Sequence, residues 1–176
     1  APQFDIQGYA ENPARATGND CFTAHPGKDD WYETIKLNYG VFYQNGGEQQ
    51  FDPIPNTWYK MRDILLFWAS KGIDGFRCDM AEMVPQAFWA WAITQVKEQY
   101  PDILFIAEVY NPDLYRSYIA AGFDYLYDKV GMYDYLRGVT SKNWAAEGIT
   151  QQWQAVDDIR KHMLYFLENH DEQRIA

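Results

Sequence analysis

The chain has 176 residues, of which 47% are hydrophobic and 23% charged, the make-up of a globular protein rather than a disordered one. Its formal net charge is −10, and no basic stripe relieves it, so phosphate backbones and anionic membrane surfaces are excluded as partners. No apolar run approaches the roughly 20 residues needed to span a bilayer, and Cys21 and Cys78 form neither a disulfide framework nor a metal-spaced cluster.

Aromatic residues make up 18% of the chain. They suit core packing and apolar sugar faces equally, and composition does not choose between the two. The chain starts at Ala1 with no signal peptide. The expectation is that the natural N-terminus lies upstream, with any targeting information. Localisation is left unassigned, an extracytoplasmic setting being favoured.

Residues 1 to about 45 show no sustained period, and Asn12-Pro13, Thr17-Gly18-Asn19-Asp20 and His25-Pro26-Gly27 signal turns. Such a stretch reads as a functional loop or a small excursion domain. The polar run from Gln44 to Gln50 marks its end. Asn56 then caps a predicted helix with Trp58, Met61, Leu65 and Trp68 on its apolar stripe, ended by Gly72. Residues 73–80 read as a strand. Pro85 opens a helix with Phe88, Ala92 and Val96 at four-residue spacing, and Pro101 stops it. The continuous apolar run 103–107 predicts a parallel strand covered on both faces. Asn111-Pro112 opens another helix through Leu114, Tyr118 and Ile119, with Gly122 behind it. A strand over 123–127, a helix around 131–138, a helix capped by Thr150 with Trp153 and Val156, and a last strand over 163–167 complete the reading.

Alternating strands and helices predict right-handed βαβ units and a parallel sheet. Four strands fit either a doubly wound sheet or part of a (β/α)8 barrel. The acids decide. Parallel α/β folds place chemistry at the carboxyl ends of strands, and Asp79, Glu108 and Asp171 each stand near one. Asp79 and Glu108 are 29 residues apart, Glu108 and Asp171 are 63. A barrel unit is roughly 31 residues, so the acids recur after one unit and then two, on one rim.

Converging carboxylates suit glycoside hydrolysis, which needs one ionised group and one protonated. Arg77 lies two residues before Asp79, on the same side of the strand, and favours its ionised form. Glu108 follows an apolar run, and burial beside like charges favours its protonated form. Each signal alone has a plainer reading: a structural ion pair, a strand end meeting solvent, or a turn at Asn169-His170-Asp171. Three at unit spacing outweigh those readings.

Three stretches also resemble known motifs. Gly75-Phe76-Arg77-Cys78-Asp79, Phe105-Ile106-Ala107-Glu108-Val109-Tyr110 and Phe166-Leu167-Glu168-Asn169-His170-Asp171 resemble, in order, the second, third and fourth motifs of the α-amylase family (glycoside hydrolase family 13). Leu37-Asn38-Tyr39-Gly40 is similar to the family's lead into that region. The resemblance implies a partial (β/α)8 TIM barrel over 46–176, about strands four to seven. It also implies an irregular N-terminal excursion over 1–45, the end of a domain B-like loop.

For function it implies a retaining hydrolase of α-1,4-linked glucans, with Asp79 as nucleophile, Glu108 as acid/base and Asp171 as stabiliser of the distorted sugar. Arg77 would orient Asp79, and His170 would donate to a sugar hydroxyl. No cofactor is required for the chemistry. A structural calcium is compatible with the family, Asn19 or Asp20 being candidate contributors, but no ligand set is legible. Where many members carry Lys-His after the nucleophile, this chain has Glu82 and Met83. Tyr110 suits stacking on a sugar or packing. His25 and His162 have no partner at ligand spacing, and Cys78 is assigned no catalytic role.

The family's first motif and an eighth strand are not found, so the missing half of the barrel is expected from the rest of a longer chain. These residues alone are expected to be unstable or inactive, because open sheet edges and uncovered apolar faces invite aggregation. Transglycosylation, branching or isomerisation, and a catalytically silent binding subunit, are the alternative functions.

Overall fold

The computed structural model describes residues 16–23 and 26–172, so the Asn12-Pro13 turn and His25 lie outside the described residues. The chain divides into two compact units, residues 1–61 and 62–176.

The described residues of the first unit ahead of residue 56 are largely irregular, as their turn-forming residues predict. A short antiparallel hairpin joins β1 (Val41–Phe42) to β2 (Glu48–Gln49), with Val41 opposite Gln49. The polar run 44–50 supplies its turn, where Gly46 and Gly47 take φ of 67° and 79°. Gly40 stands at φ 87°, and a Cβ there would meet the Gln50 carbonyl oxygen at 2.5 Å, so only glycine fits. Trp58 packs on Phe51 at 5.0 Å between ring centroids and donates from Nε1 to the Tyr39 carbonyl at 2.9 Å.

Asn19 and Asp20 are already engaged. The Asn19 Oδ1 accepts from Thr17 at 2.6 Å and from the Trp31 N–H at 3.1 Å, and Asp20 pairs with Lys36 at 2.5 Å. Calcium needs six or more oxygen ligands. Among the described residues no group of three or more His, Cys, Asp or Glu could hold a metal ion. Asn19 and Asp20 are thus committed to contacts with Thr17, Trp31 and Lys36.

Helix α1 (Asn56–Ala69) follows. Trp58 and Ala69 are buried, whereas Trp68, expected on the buried stripe, is 52% exposed. At about 3.6 residues per turn, Ala69 returns to the side of Trp58 after three turns, and Trp68 falls about 80° away. Gly72, at φ 78°, lies just beyond the helix end.

In the second unit four strands form one parallel sheet: β3 (Gly75–Cys78), β4 (Leu104–Ala107), β5 (Tyr125–Tyr127) and β6 (Met163–Leu164). They neighbour one another in chain order. Every strand is shorter than the stretch that predicts it, β3 by four residues and the last, which ends at Leu164 instead of residue 167, by three. Between them run α2 (Gln86–Gln99), α3 (Tyr115–Ala120), α4 (Asp134–Lys142) and α5 (Gly148–Ala155). Pro85 precedes α2, and Phe88, Ala92 and Val96 form its buried stripe as the spacing predicts. Asn111 caps a 3-10 turn, Pro112–Leu114, ahead of α3, and its side chain accepts the Asp113 N–H. Thr150, expected as a cap, lies inside α5, which starts two residues earlier at Gly148. The helix expected around 131–138 is a π turn, Lys129–Tyr133, running into α4.

The two faces of the sheet differ. Phe105, Ala107 and Leu126 are fully buried, and Phe123 ties Phe105 to Trp89 of α2 and Tyr118 of α3 through ring contacts of 5.1–6.3 Å. On the other face Leu104, Tyr125 and Leu164 are exposed, Leu104 by 41%. The apolar run of β4 is therefore covered on one face only in these residues. A doubly wound sheet reverses its strand order and carries helices on both faces. Strands in chain order, with helices against one face, make this a segment of a (β/α) barrel whose inner face is the exposed one. No helix among the described residues is long and apolar enough to cross a membrane.

Candidate active site

Register sets the first two acids. Cys78 pairs with Ala107, so Asp79 and Glu108, each the next residue, leave adjacent strands at one level. Met80 then takes a left-handed conformation, φ 41°, which costs a non-glycine residue about 1–2 kcal/mol. That turn aims its N–H at Glu108 Oε2, 2.8 Å away. The backbone closes the pair further, because the Glu108 N–H donates to the Cys78 carbonyl at 3.1 Å and the Ala81 N–H to the Glu108 carbonyl at 2.9 Å. Trp89 of α2 donates to the Ala81 carbonyl at 3.0 Å and fixes the turn from below.

Arg77 stands at the centre. Its Nη1 donates to Asp79 Oδ1, and its Nη2 lies 2.9 Å from Glu108 Oε1 and 3.9 Å from Asp171 Oδ2. The Glu108 contact is an ion pair without the alignment of a hydrogen bond, since Nε and Nη2 are buried with no aligned acceptor. The guanidinium also sits 5.6 Å from the Tyr127 ring centroid. Burial works against its charge, but the contacts with Asp79 and Tyr127 and the charge of Glu108 outweigh this and raise its pKa. It is a permanent cation among three carboxylates.

Those carboxylates are unequally placed. The Glu108 side chain is only 3% exposed, against 72% for Asp79 and 52% for Asp171. The setting of Glu108 differs from the expected apolar pocket with like-charged neighbours. It is buried, but Tyr110 donates its hydroxyl to Oε1 at 3.0 Å, Met80 holds Oε2, and its nearest charge is the Arg77 cation. Asp171 lies seven residues past β6, where Asn169 Oδ1 accepts its N–H at 2.9 Å and that of Glu172 at 2.8 Å. The turn reading and the rim reading of that segment are therefore both realised. His170 is an exposed residue whose Nε2 lies 3.0 Å from Asp171 Oδ2.

Cys78 points the other way. Burial pushes its thiol up to about 12, against the pull of Arg77, so it is no nucleophile at neutral pH. His162 ends the 3-10 segment before β6, with Nδ1 2.9 Å from the Asp124 carbonyl, away from the acids.

No protein-family model matches the chain. Among curated proteins, an α-1,4-glucan:maltose-1-phosphate maltosyltransferase of Cereibacter sphaeroides is 34% identical over 97 residues, 51% of this chain and 16% of that protein. A maltosyltransferase of the same name from Burkholderia pseudomallei is 33% identical over 113 residues, 60% of this chain and 10% of its own length. Among solved structures, an alpha-amylase from Lactobacillus plantarum aligns with a TM-score of 0.60 at 28% identity, over 73% of this chain and 34% of its own. An Anoxybacillus alpha-amylase aligns with a TM-score of 0.62 at 25% identity, over 73% and 30%. The chain is thus similar to α-amylases in fold and to maltosyltransferases in sequence. It spans about one sixth of the Cereibacter maltosyltransferase and a third of the Lactobacillus amylase.

The site also holds contacts that sequence reasoning missed. Met80 contributes a backbone N–H, which no side-chain pattern announces. Tyr127 ends β5 under Arg77, and its only signal was its place at the end of a weak strand. Asp128, the next residue, is buried and accepts the Met132 N–H on Oδ1 at 3.0 Å, with Oδ2 unpartnered. An acid therefore follows β5 as well, at the one strand end the spacing argument skipped. Glu82, at the family's Lys position, accepts the Asn111 N–H at 3.1 Å and links the loops after β3 and β4.

Proposed function

We propose that the chain carries the catalytic carboxylates of a retaining enzyme acting on α-1,4-glucans, with water as acceptor in the first reading. The observation that carries it is the single guanidinium of Arg77 within 4 Å of Asp79, Glu108 and Asp171. A structural ion pair needs one acid per cation. Three acids from three strands gathered on one cation, at the carboxyl end of a barrel sheet, match a site where opposite tasks are divided among carboxylates.

In this reading Asp79, exposed and hydrogen-bonded to Arg77, attacks the anomeric carbon. Glu108 gives its proton to the departing glycosidic oxygen, leaving a covalent glycosyl-enzyme. Both oxygens of Glu108 face donors, the Met80 N–H at Oε2 and the Tyr110 hydroxyl and Arg77 at Oε1, so one of these contacts gives way when Glu108 acts as the acid. Glu108 then takes a proton from the incoming acceptor, and a second inversion restores the configuration. Asp171 accepts hydrogen bonds from ring hydroxyls that strengthen as the sugar flattens, and His170 donates to one. The exposed inner face, with Leu104, Tyr125 and Leu164, supports a closed barrel in the working protein, and residues 1–45 are assigned to a domain B-like excursion.

A second reading, transfer to a sugar or phosphate acceptor, is favoured by the names of the curated relatives, which are maltosyltransferases. Product analysis of the full-length natural protein on maltooligosaccharides separates the two. Hydrolysis yields new reducing ends and shorter products only. Transfer yields longer oligosaccharides, or maltose 1-phosphate when phosphate is supplied. The activity in either form is expected to disappear in Asp79→Asn. If Asp79→Asn leaves every activity unchanged, the chain is a binding module.

A further inference from the structure

Asp171 rests on the least regular backbone of the three acids, eight residues, 165–172, with neither helix nor strand. We propose that the π turn Lys129–Tyr133 is a clamp that positions Asp171, and that Glu172 is the side chain it grips. The proposal rests on the catalytic reading of Asp171 given above.

Tyr133, fully buried, holds both ends of that segment. Its ring stacks on Phe166 at 4.8 Å and 13°. Its hydroxyl donates to Glu172 Oε2 at 3.3 Å and accepts from Arg137 Nη1 at 3.2 Å. Glu172 also pairs with Lys129 at 3.2 Å and Arg137 at 3.6 Å. One side-chain oxygen of Asn169 accepts the N–H groups of Asp171 and Glu172 together, so the two residues turn as one body. The direction given to Glu172 therefore fixes that of Asp171.

The clamp is built locally. Single π turns are rare, and those that occur are frequently at functional sites. Here the turn places Lys129 and Tyr133 toward the same segment. Asp128 caps it, and Gly131 lets Asp128 approach, since a Cβ at 131 would meet Asp128 Oδ1 at 2.5 Å. The clamp also reaches the acid/base. Lys129 Nζ lies 5.6 Å from the Tyr110 ring centroid, and Tyr110 donates to Glu108. Lys129 has a second partner in Asp134 at 3.1 Å, which keeps its ammonium in place. A misplacement of about 1 Å can cost roughly 100-fold in rate, more than an unsupported eight-residue loop would hold. These pairs are 20–33% exposed, and partly exposed ion pairs add little stability. Cutting one is therefore expected to change rate far more than melting temperature.

The test measures kcat and KM of the full-length natural protein on a maltooligosaccharide, with binding of a cationic iminosugar that mimics the oxocarbenium-like state. Glu172→Gln is expected to lower kcat by about 10- to 100-fold with KM nearly unchanged, because Asp171 acts mainly in the transition state. Iminosugar affinity should fall in parallel with kcat/KM. Glu172→Asp should recover part of the loss, and Tyr133→Phe, which keeps the ring stack, should lose less. Lys129→Met gives an independent cut should Glu172→Gln not fold. Wild-type kcat and inhibitor affinity in Glu172→Gln and Lys129→Met, with Asp171→Asn impaired, would overturn the clamp alone. An inert Asp171→Asn would instead remove the reading on which it rests.

Discussion

Two regions of the second unit place acids at the same rim by different means. At the ends of β3 and β4, hydrogen-bonded register does it: Cys78 opposite Ala107 puts Asp79 and Glu108 side by side, and one strained turn at Met80 seals the pair. Beyond β6 no register remains, and Asp171 depends on side chains, namely Asn169 beneath it and Glu172 beside it. A ladder is cooperative and insensitive to any one side chain, whereas a clamp of three partly exposed pairs is not. The difference predicts that substitutions near Asp79 and Glu108 act through chemistry, while those near Asp171 act through geometry.

The largest effect should come from the ladder side. Glu108→Gln in the full-length protein is expected to reduce kcat by roughly 10² to 10⁴ with unaltered folding, as loss of a general acid does. An effect below about 10-fold would deny Glu108 that role. Arg77→Met comes next, because it removes the cation from a buried carboxylate. Breaking such a pair costs about 3 kcal/mol, visible in urea unfolding, together with a large fall in activity. Unchanged stability would mean that Arg77 does not hold the acids together.

Leu104→Ala compares the two faces of β4. The residue is exposed in this chain, while its neighbour Phe105 is buried. If the inner face is covered in a closed barrel, the substitution should cost the full-length protein about 2–5 kcal/mol, as for a core leucine. A cost near zero would mean that this face stays open. The smallest expected effect concerns Asp128. Burial raises its pKa, although the Met132 and Gly131 N–H groups pull it down. A carboxyl whose folded pKa is raised favours the folded state when protonated, so its contribution to stability falls as pH rises above the ordinary carboxylate range. Asp128→Asn, which can still accept the Met132 N–H, should therefore gain up to about 1 kcal/mol at neutral pH and show a flatter stability profile between acid and neutral pH. A loss at neutral pH would show that the charge is needed.

The same contrast explains what was legible in the sequence. Periodicity found α2, whose Phe88, Ala92 and Val96 are buried as spaced, and the apolar runs found all four strands, because both patterns report burial directly. Unit spacing brought Asp79, Glu108 and Asp171 to one cation, because a barrel repeats its strand ends at a near-constant interval. Pattern failed where tertiary contacts override it. Trp68 satisfies a 3-4-3 count yet lies off the buried stripe, and Thr150, a good cap, is enclosed in α5. The neighbours of Glu108 were misjudged for a related reason. An apolar run before an acid tells of burial, but not that a backbone N–H, a tyrosine hydroxyl and a guanidinium converge on it from three other positions. Lys129, Tyr133 and Glu172 carry no spacing signal, since a clamp across 39 residues leaves no period to read.

The most direct measurement is to trap the covalent intermediate. An activated fluoro-glucoside that forms the glycosyl-enzyme quickly and releases it slowly would be added to the full-length protein, and the labelled peptide mapped by mass spectrometry. The account predicts stoichiometric labelling of Asp79, abolished in Asp79→Asn and accumulating in Glu108→Gln. A label on any other carboxylate, or turnover with inverted configuration and no label, would contradict it.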